Sequence, residues 1–275
     1  MQSPHTDLNT FLKSVEYRVA RTRAELESVY RIVYTEYLKQ GYIHPNDVEM
    51  HYSLHNLLPS TTTFVALADD QVITTATVIP DSPLGIPMDE LYKKEVDTLR
   101  GQKICEISML TNSSALFSGQ ASMMLNAKKM FLVFYLFKHM LDYIREYLHL
   151  DYICIAINPK HKTTYESLFF KDLGGLKNYD KVNGAPAVAK ALNVHTVEQE
   201  CAKSRKNNTY KLFFSGKTDP ERFADKIALS LEDIEYFYLQ KKNILDHVTD
   251  QQMAYLEKCY PQYDLTQVIN HNSTL

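Results

Sequence analysis

The stretch KICEISMLTN, residues 103–112, decides the reading of this chain. Its apolar run describes a buried β-strand, yet one carboxylate, Glu106, is set inside it. A buried unpaired charge is costly, so an acid in a central strand points to a use for it. Taking a proton from a reacting group is such a use, directly or through one water. The apolar neighbours Ile104 and Ile107 favour a raised pKa in the range a base needs. The alternative is a core carboxylate bonded to a backbone amide or a tyrosine hydroxyl.

Working outward, residues 62–68 and 72–79 read as two strands of a hairpin around Asp69-Asp70-Gln71. Residues 15–21 alternate like a strand, and residues 25–40 form an amphipathic helix that Gly41 ends. After a break at 80–87, residues 88–99 read as a short helix. Beyond the Glu106 strand, Met130, Val133, Phe134, Phe137, Met140, Leu141, Ile144 and Leu148 keep helical spacing. Residues 152–157 are a near-continuous apolar strand, as in a sheet covered on both faces. A short helix at 161–171 and strands at 176–182 and 187–194 follow, the strands joined by Asn183-Gly184-Ala185-Pro186. Past Val194 the pattern turns helical, with capping-box starts at Ser230-x-x-Asp233 and Thr249-x-x-Gln252. The aromatic faces there must pack on the rest of the chain or on a second copy, as in a homodimer. The expected division is an arm at 1–14, an α/β catalytic domain at 15–194 and a helical extension at 195–275.

Composition bounds the function. With 45% hydrophobic and 23% charged residues in 275, the chain is ordinary globular material with room for a large core. A net charge of −3 argues against a general nucleic-acid binder. The four cysteines show no metal-ligand spacing, so no metal is expected; Cys105 and Cys154 fall inside strand patterns as small core residues. The N-terminal residues carry no signal-peptide pattern, and the longest apolar run, residues 130–137, is too short to span a bilayer. A cytoplasmic protein without a transmembrane segment is expected.

The order β-α-β-β-β-α-β-α-β-β resembles that of the GNAT superfamily of acyltransferases. Cys105-Glu106-Ile107-Ser108 resembles the E-x-S/T strand of acyl-homoserine-lactone (autoinducer) synthases, and Tyr30-Arg31-x-x-Tyr34 resembles their first helix. Val182-Asn183-Gly184-Ala185-Pro186-Ala187-Val188 is similar to the closing hairpin of long-chain N-acyl amino acid synthases. So is Tyr52-Ser53-Leu54-His55-Asn56 leading into Thr62-Thr63-Phe64-Val65-Ala66. The resemblance covers residues 15–194 and implies a GNAT-like fold that moves a long acyl chain from acyl carrier protein to the α-amine of an amino acid. Many autoinducer synthases have an arginine after the E-x-S/T, where Met109 stands here; that counts against making a homoserine lactone from S-adenosylmethionine.

The resemblance also implies roles. A bulge late in the Glu106 strand would splay two parallel strands and present the amides of Leu110, Thr111 and Asn112 to a thioester carbonyl, with Ser108 and Asn158 beside the substrates. Tyr165, one helical stretch after Asn158, would protonate the departing thiolate; the alternative is a packing tyrosine among 19. Coenzyme-A-dependent members usually hold the pyrophosphate in a glycine-rich turn, and residues 112–126 have a single glycine, Gly119. An acyl-phosphopantetheine thioester is therefore the expected co-substrate, on acyl carrier protein in preference to coenzyme A, with no bound cofactor. Lys128 and Lys129 would meet the phosphodiester and, with Lys160 and Lys162, the acidic carrier. Met123-Met124 and the 130–137 run are candidates for an acyl tunnel, or are plain core. His44, Asp47, Glu49, His51 and His55 suit a loop closing over the acceptor better than a metal site. The rival readings are an autoinducer synthase, an acyl-CoA-dependent acetyltransferase and a non-catalytic module that binds an acyl group or its carrier.

Overall fold

The strands assemble into one sheet: β1 (Glu16–Val19), β2 (Thr62–Ala68), β3 (Gln71–Pro80), β4 (Ile104–Asn112), β5 (Tyr152–Ile157), β6 (Lys171–Tyr179) and β7 (Ala185–Asn193). The computed structural model describes residues 8–115, 123–204, 207–214, 216 and 218–272. The seven strands lie in the order β1-β2-β3-β4-β5-β7-β6, antiparallel throughout except β4 beside β5. A parallel pair needs a crossover. The helices among the described residues are α1 (Leu8–Ser14), α2 (Arg23–Lys39), α3 (Asp89–Asp97), α4 (Met123–Asp142), α5 (Lys162–Ser167), α6 (Val197–Lys203), α7 (Asn207–Phe214), α8 (Leu231–Glu235), α9 (Asp250–Cys259) and α10 (Leu265–Asn272), and α4 supplies that crossover.

Strand alternation sorts the core into two faces. Phe64, Ala66, Cys105, Ile107, Ile153 and Ile155 enter a core with Leu132, Leu136, Phe137 and Met140 of α4. On the opposite face Val65, Leu67 and Met109 pack with Val29, Tyr30 and Val33 of α2, while Ile104, Cys154 and Ala189 pack with Tyr92 and Val96 of α3. Glu106 belongs to that second face, at the seam between its two halves. The α4 stripe is therefore mostly core, and the helix continues as a wider turn in which the Leu148 amide bonds to the Tyr143 carbonyl at 2.9 Å.

α2 ends as its sequence predicts. Gly41 takes a left-handed φ of 72°, and the amides of Gly41 and Tyr42 close back on the carbonyls of Leu38 and Tyr37 at 3.0 and 2.9 Å. The region after β5 differs from expectation. The helix stops at Ser167, and β6 begins at Lys171, where the sequence pattern starts its strand only at Leu176. Gly174 and Gly175 interrupt the alternation that marks a strand, and β6 is an edge strand with register shifts against β7. Gly174 is needed there, since a Cβ would stand 2.7 Å from the Tyr92 ring.

The C-terminal helices pack on their own chain, and they divide between the faces. Val197 and Phe213, of α6 and α7, join the α4 core; Ile234, Phe237, Tyr238 and Leu256 fill the α2 face. Tyr52 and Tyr260 donate hydroxyl hydrogen bonds across that contact to the carbonyls of Phe237 and Leu57.

Candidate active site

Pairing between β4 and β5 runs only from Ile104↔Tyr152 to Glu106↔Cys154, after which the two strands part. On its other edge β4 slips against β3 between Thr77↔Ser108 and Thr75↔Thr111, and Met109 takes a left-handed φ of 57°. That bulge lies one residue before the expected segment. It breaks the alternation, so Glu106, Ser108 and Met109 all face one cavity of about 490 Å³ set in the splay. Ala156 and Ile157 close it from β5, Asn158 from just beyond that strand, and Tyr37, His51, Tyr52 and Tyr179 from the surrounding elements.

Glu106 is 4% exposed, and its Oε2 accepts the Met88 amide at 2.7 Å, at the start of α3. Burial pushes its pKa up to about 8; the Met88 hydrogen bond opposes the rise and the charge of Asp89 adds to it. Asp89 itself caps the Ile86 amide at 2.9 Å and pairs with Arg100. Burial, with some help from Lys242, holds His51 down at about 4, so its imidazole is neutral at pH 7. The Tyr37 hydroxyl is pushed well up, by burial first and then by Glu106, so it keeps its proton near the carboxyl. Tyr179 donates to the Pro87 carbonyl or to Glu90, each 3.3 Å away. The arrangement offers one acid–base group poised near neutrality, set among neutral hydrogen-bonding rings.

The sequence candidates sort unevenly around this cavity. Ser108 and Asn158 line it, although Asn158 Oδ1 is also the cap accepting the Lys160 amide at 3.1 Å. Leu110 packs toward the α4 core, Thr111 stays opposite Thr75, and Asn112 Oδ1 accepts from the Thr74 hydroxyl at 2.7 Å; none of the three lines the cavity. Tyr165 also stands outside it, edge-on to Phe170 at 5.6 Å in the α4 core, with burial raising its hydroxyl to about 12. His51 and His55 reach the cavity, whereas His44, Asp47 and Glu49 do not. Tyr37 and Tyr179 were not site candidates by sequence, and Tyr52 stood only inside a resemblance motif. They come from three separate segments that only the fold brings together.

The lysines have partners. Lys128 lies 4.8 Å over the Phe11 ring, Lys160 donates to Gln40 at 2.8 Å, and Lys162 is held between Asp172 and Glu166 at 3.2 and 3.7 Å. Met130, Phe131 and Phe134 border an open groove of about 670 Å³ between α4 and α7. Gly119 and the side chains of Met123 and Met124 lie outside the described residues. Among the described residues no acidic, histidine or cysteine cluster suits a metal, and no helix is long and apolar enough to cross a membrane.

Comparison with known proteins places the fold. The family model of the N-acyl amino acid synthase FeeM matches residues 28–193. The solved structure of FeeM, from uncultured soil microbes, is 33% identical, with a TM-score of 0.58 over 69% of this chain and 96% of that one. The acyl-homoserine-lactone synthase LasI aligns at 11% identity and a TM-score of 0.52, over 74% of this chain and 96% of its own. BjaI, described as a CoA-dependent acyl-homoserine lactone synthase, aligns at 11% and 0.50 over 82% of this chain and 100% of its own. The last two speak for the fold alone. No curated protein matches the sequence.

Proposed function

We propose a specific reaction for this chain, which belongs to the FeeM family of N-acyl amino acid synthases and is an N-acyltransferase with a GNAT-like fold. The reaction is transfer of a long-chain acyl group from an acyl carrier protein thioester to the α-amine of an amino acid. Glu106 takes the proton from the amine. The amine attacks the thioester carbonyl, the C–N bond forms, the C–S bond breaks, and the departing thiolate takes up the second proton that the nitrogen loses as it becomes an amide. The carrying observation is the buried Glu106, with a pKa near 8, at the floor of a cavity in the β4–β5 splay. A carboxyl raised this far binds a proton far more strongly than an ordinary glutamate, which narrows the gap to the more basic amine it must deprotonate.

Main-chain amides around the Met109 bulge polarise the carbonyl, in the region where Leu110, Thr111 and Asn112 were the candidates. Ser108, Asn158, Tyr37 and Tyr179 hold the acceptor and the thioester by hydrogen bonds. Tyr165 remains the candidate hydrogen-bond donor to the departing sulfur, although it packs against the α4 core and does not line the cavity. Lys128, Lys129, Lys160 and Lys162 offer the carrier protein positive charge near α4 and the end of β5, Lys162 from between Asp172 and Glu166. The test is mass spectrometry of lipids from cells expressing the chain. Long-chain N-acyl amino acids that appear with the wild type and vanish with Glu106→Gln support the reading; no N-acyl product from a soluble wild type defeats it.

A further inference from the structure

We infer that a second chamber, closed by the C-terminal segment, receives the far end of the acyl chain and sets its length. This rests on the acyl-transfer reading of the Glu106 cavity and adds to it where the acyl group lies.

The chamber has a volume of about 360 Å³. Leu26, Tyr30 and Leu58 wall it on the sheet side, and Ile227, Leu229 and Tyr260 on the other. That second wall lies beyond residues 28–193, the part of the chain that matches the family, so the chamber is not a feature of the shared fold. Its charged group is already engaged: the Lys226 ammonium donates to the Pro59 carbonyl at 2.6 Å and reaches the Thr62 hydroxyl at 3.3 Å. What faces an occupant is mainly aliphatic and aromatic surface.

A thin partition separates the chamber from the Glu106 cavity. Asn56 lines both spaces. Beside it, Tyr30 of the chamber stacks on Tyr52 of the cavity with ring centroids 4.5 Å apart. Asn56 Nδ2 leans on Met109 Sδ at 3.5 Å, and Met109 is the bulge residue whose left-handed backbone turns it to this side. Methionine is unbranched and readily changes rotamer, so a partition made of Met109 and one amide yields more easily than packed branched residues. The carbonyl under attack sits at the bulge. An alkyl chain leaving it on this face therefore meets Met109 first and the chamber next. The open groove between α4 and α7 is apolar too, but it lies on the opposite face from Glu106 and shares no lining residue with the cavity.

Cys259 makes the inference directly testable. It lines the chamber and is half-buried, while Cys105, Cys154 and Cys201 are buried. The full-length protein is treated with iodoacetamide alone or with non-hydrolysable butyryl, octanoyl, dodecanoyl and hexadecanoyl thioether analogues of acyl-pantetheine. Loss of Cys259 labelling with the long chains, and normal labelling with butyryl, is expected. In turnover, kcat/KM should rise about fourfold for each methylene buried until the chamber is full. Ala228→Trp, which places an indole on the exposed rim of the chamber, should move that limit to shorter chains. Cys259 labelling indifferent to chain length, with the same length profile in Ala228→Trp, overturns the chamber; a chain lodged in the α4–α7 groove gives that result. Labelling is read without turnover. A protein that acylates no amino acid thus fails the transferase reading alone, and long-chain protection of Cys259 still supports the chamber. Should Ala228→Trp not fold, the wild-type labelling decides.

Discussion

Glu106 Oε2 accepts the backbone amide of Met88 at 2.7 Å, which ties the one carboxylate of β4 to the start of α3. The bond holds the carboxyl in a fixed pose, and burial still wins over it, leaving the pKa at about 8. A purely structural acid given this much protein around it would be expected to gain a cation. This one gains an amide and a cavity.

The raised pKa has a consequence for stability. Glu106 goes from an ordinary 4.5 to about 8, so between those values the folded state binds the proton that the unfolded chain has lost. Stability contributed by the neutral form is therefore present below pH 4.5 and is lost as pH rises toward 8. Glu106→Gln, which stays neutral, should be more stable than wild type at pH 8, by on the order of 4 kcal/mol, with the gap closing toward pH 5. Urea titrations at the two pH values measure it. A gap that does not change with pH would mean the carboxyl is not buried as described.

Tyr165→Phe should cost little. Its hydroxyl stands near 12, whereas the leaving thiol sits near 8.5, so full proton transfer from the tyrosine is uphill. A fall in kcat of less than about tenfold is expected, the contribution of a hydrogen bond and not of a general acid. A hundredfold loss with unchanged donor KM would restore the tyrosine as the acid.

Carrier protein should be preferred to coenzyme A, with a preference that salt weakens. The Debye length shrinks from about 30 Å at 0.01 M to about 8 Å at 0.15 M, which screens lysines from an acidic partner. The kcat/KM for the carrier-bound donor should fall over that range, and more steeply than for the same acyl group on coenzyme A. Lys128→Glu with Lys129→Glu should hurt the carrier donor more than a short acyl-pantetheine. Equal use of both donors, without salt dependence, would return the chain to the coenzyme A class.

Lys190 holds α5 to the sheet. Its side chain is fully buried, and its ammonium donates to Asp172 at 2.7 Å and Glu166 at 3.1 Å. Both carboxylates are partly solvated and recover water when the lysine is lost, so Lys190→Met should cost about 2 kcal/mol in urea unfolding, nearer a charged hydrogen bond than a buried ion pair. A neutral effect would show that the bonds only balance the desolvation of the ammonium.

Much of the fold was legible because each buried face repeats with its own period. The stripe of α4, the run of β5 and the glycine after α2 all carry local signals that tertiary packing reinforces. β6 was misjudged at its start, because Gly174 is chosen for the Tyr92 ring against it and not for strand propensity. At the site, Glu106 stood out as an acid in an apolar strand. Tyr37, Tyr52 and Tyr179 did not, because a tyrosine that lines a cavity has the same sequence neighbours as one that packs. The bulge was expected from resemblance, but its place at Met109 depends on how β3 and β4 slip, which no single strand encodes.

The most direct test of the central claim is the pH dependence of N-acylation by purified wild type and Glu106→Gln, with one carrier-bound donor and one amino acid. Glu106 as the base predicts a wild-type rate that rises through its midpoint near pH 8 and levels off above it, and a variant that is soluble, folded and slower by roughly 10²–10⁴ near neutrality. The deficit should narrow at high pH, where the amine loses its proton to water and needs no base. A variant within a few-fold of wild type, or one with a deficit equally large at every pH, would contradict the account.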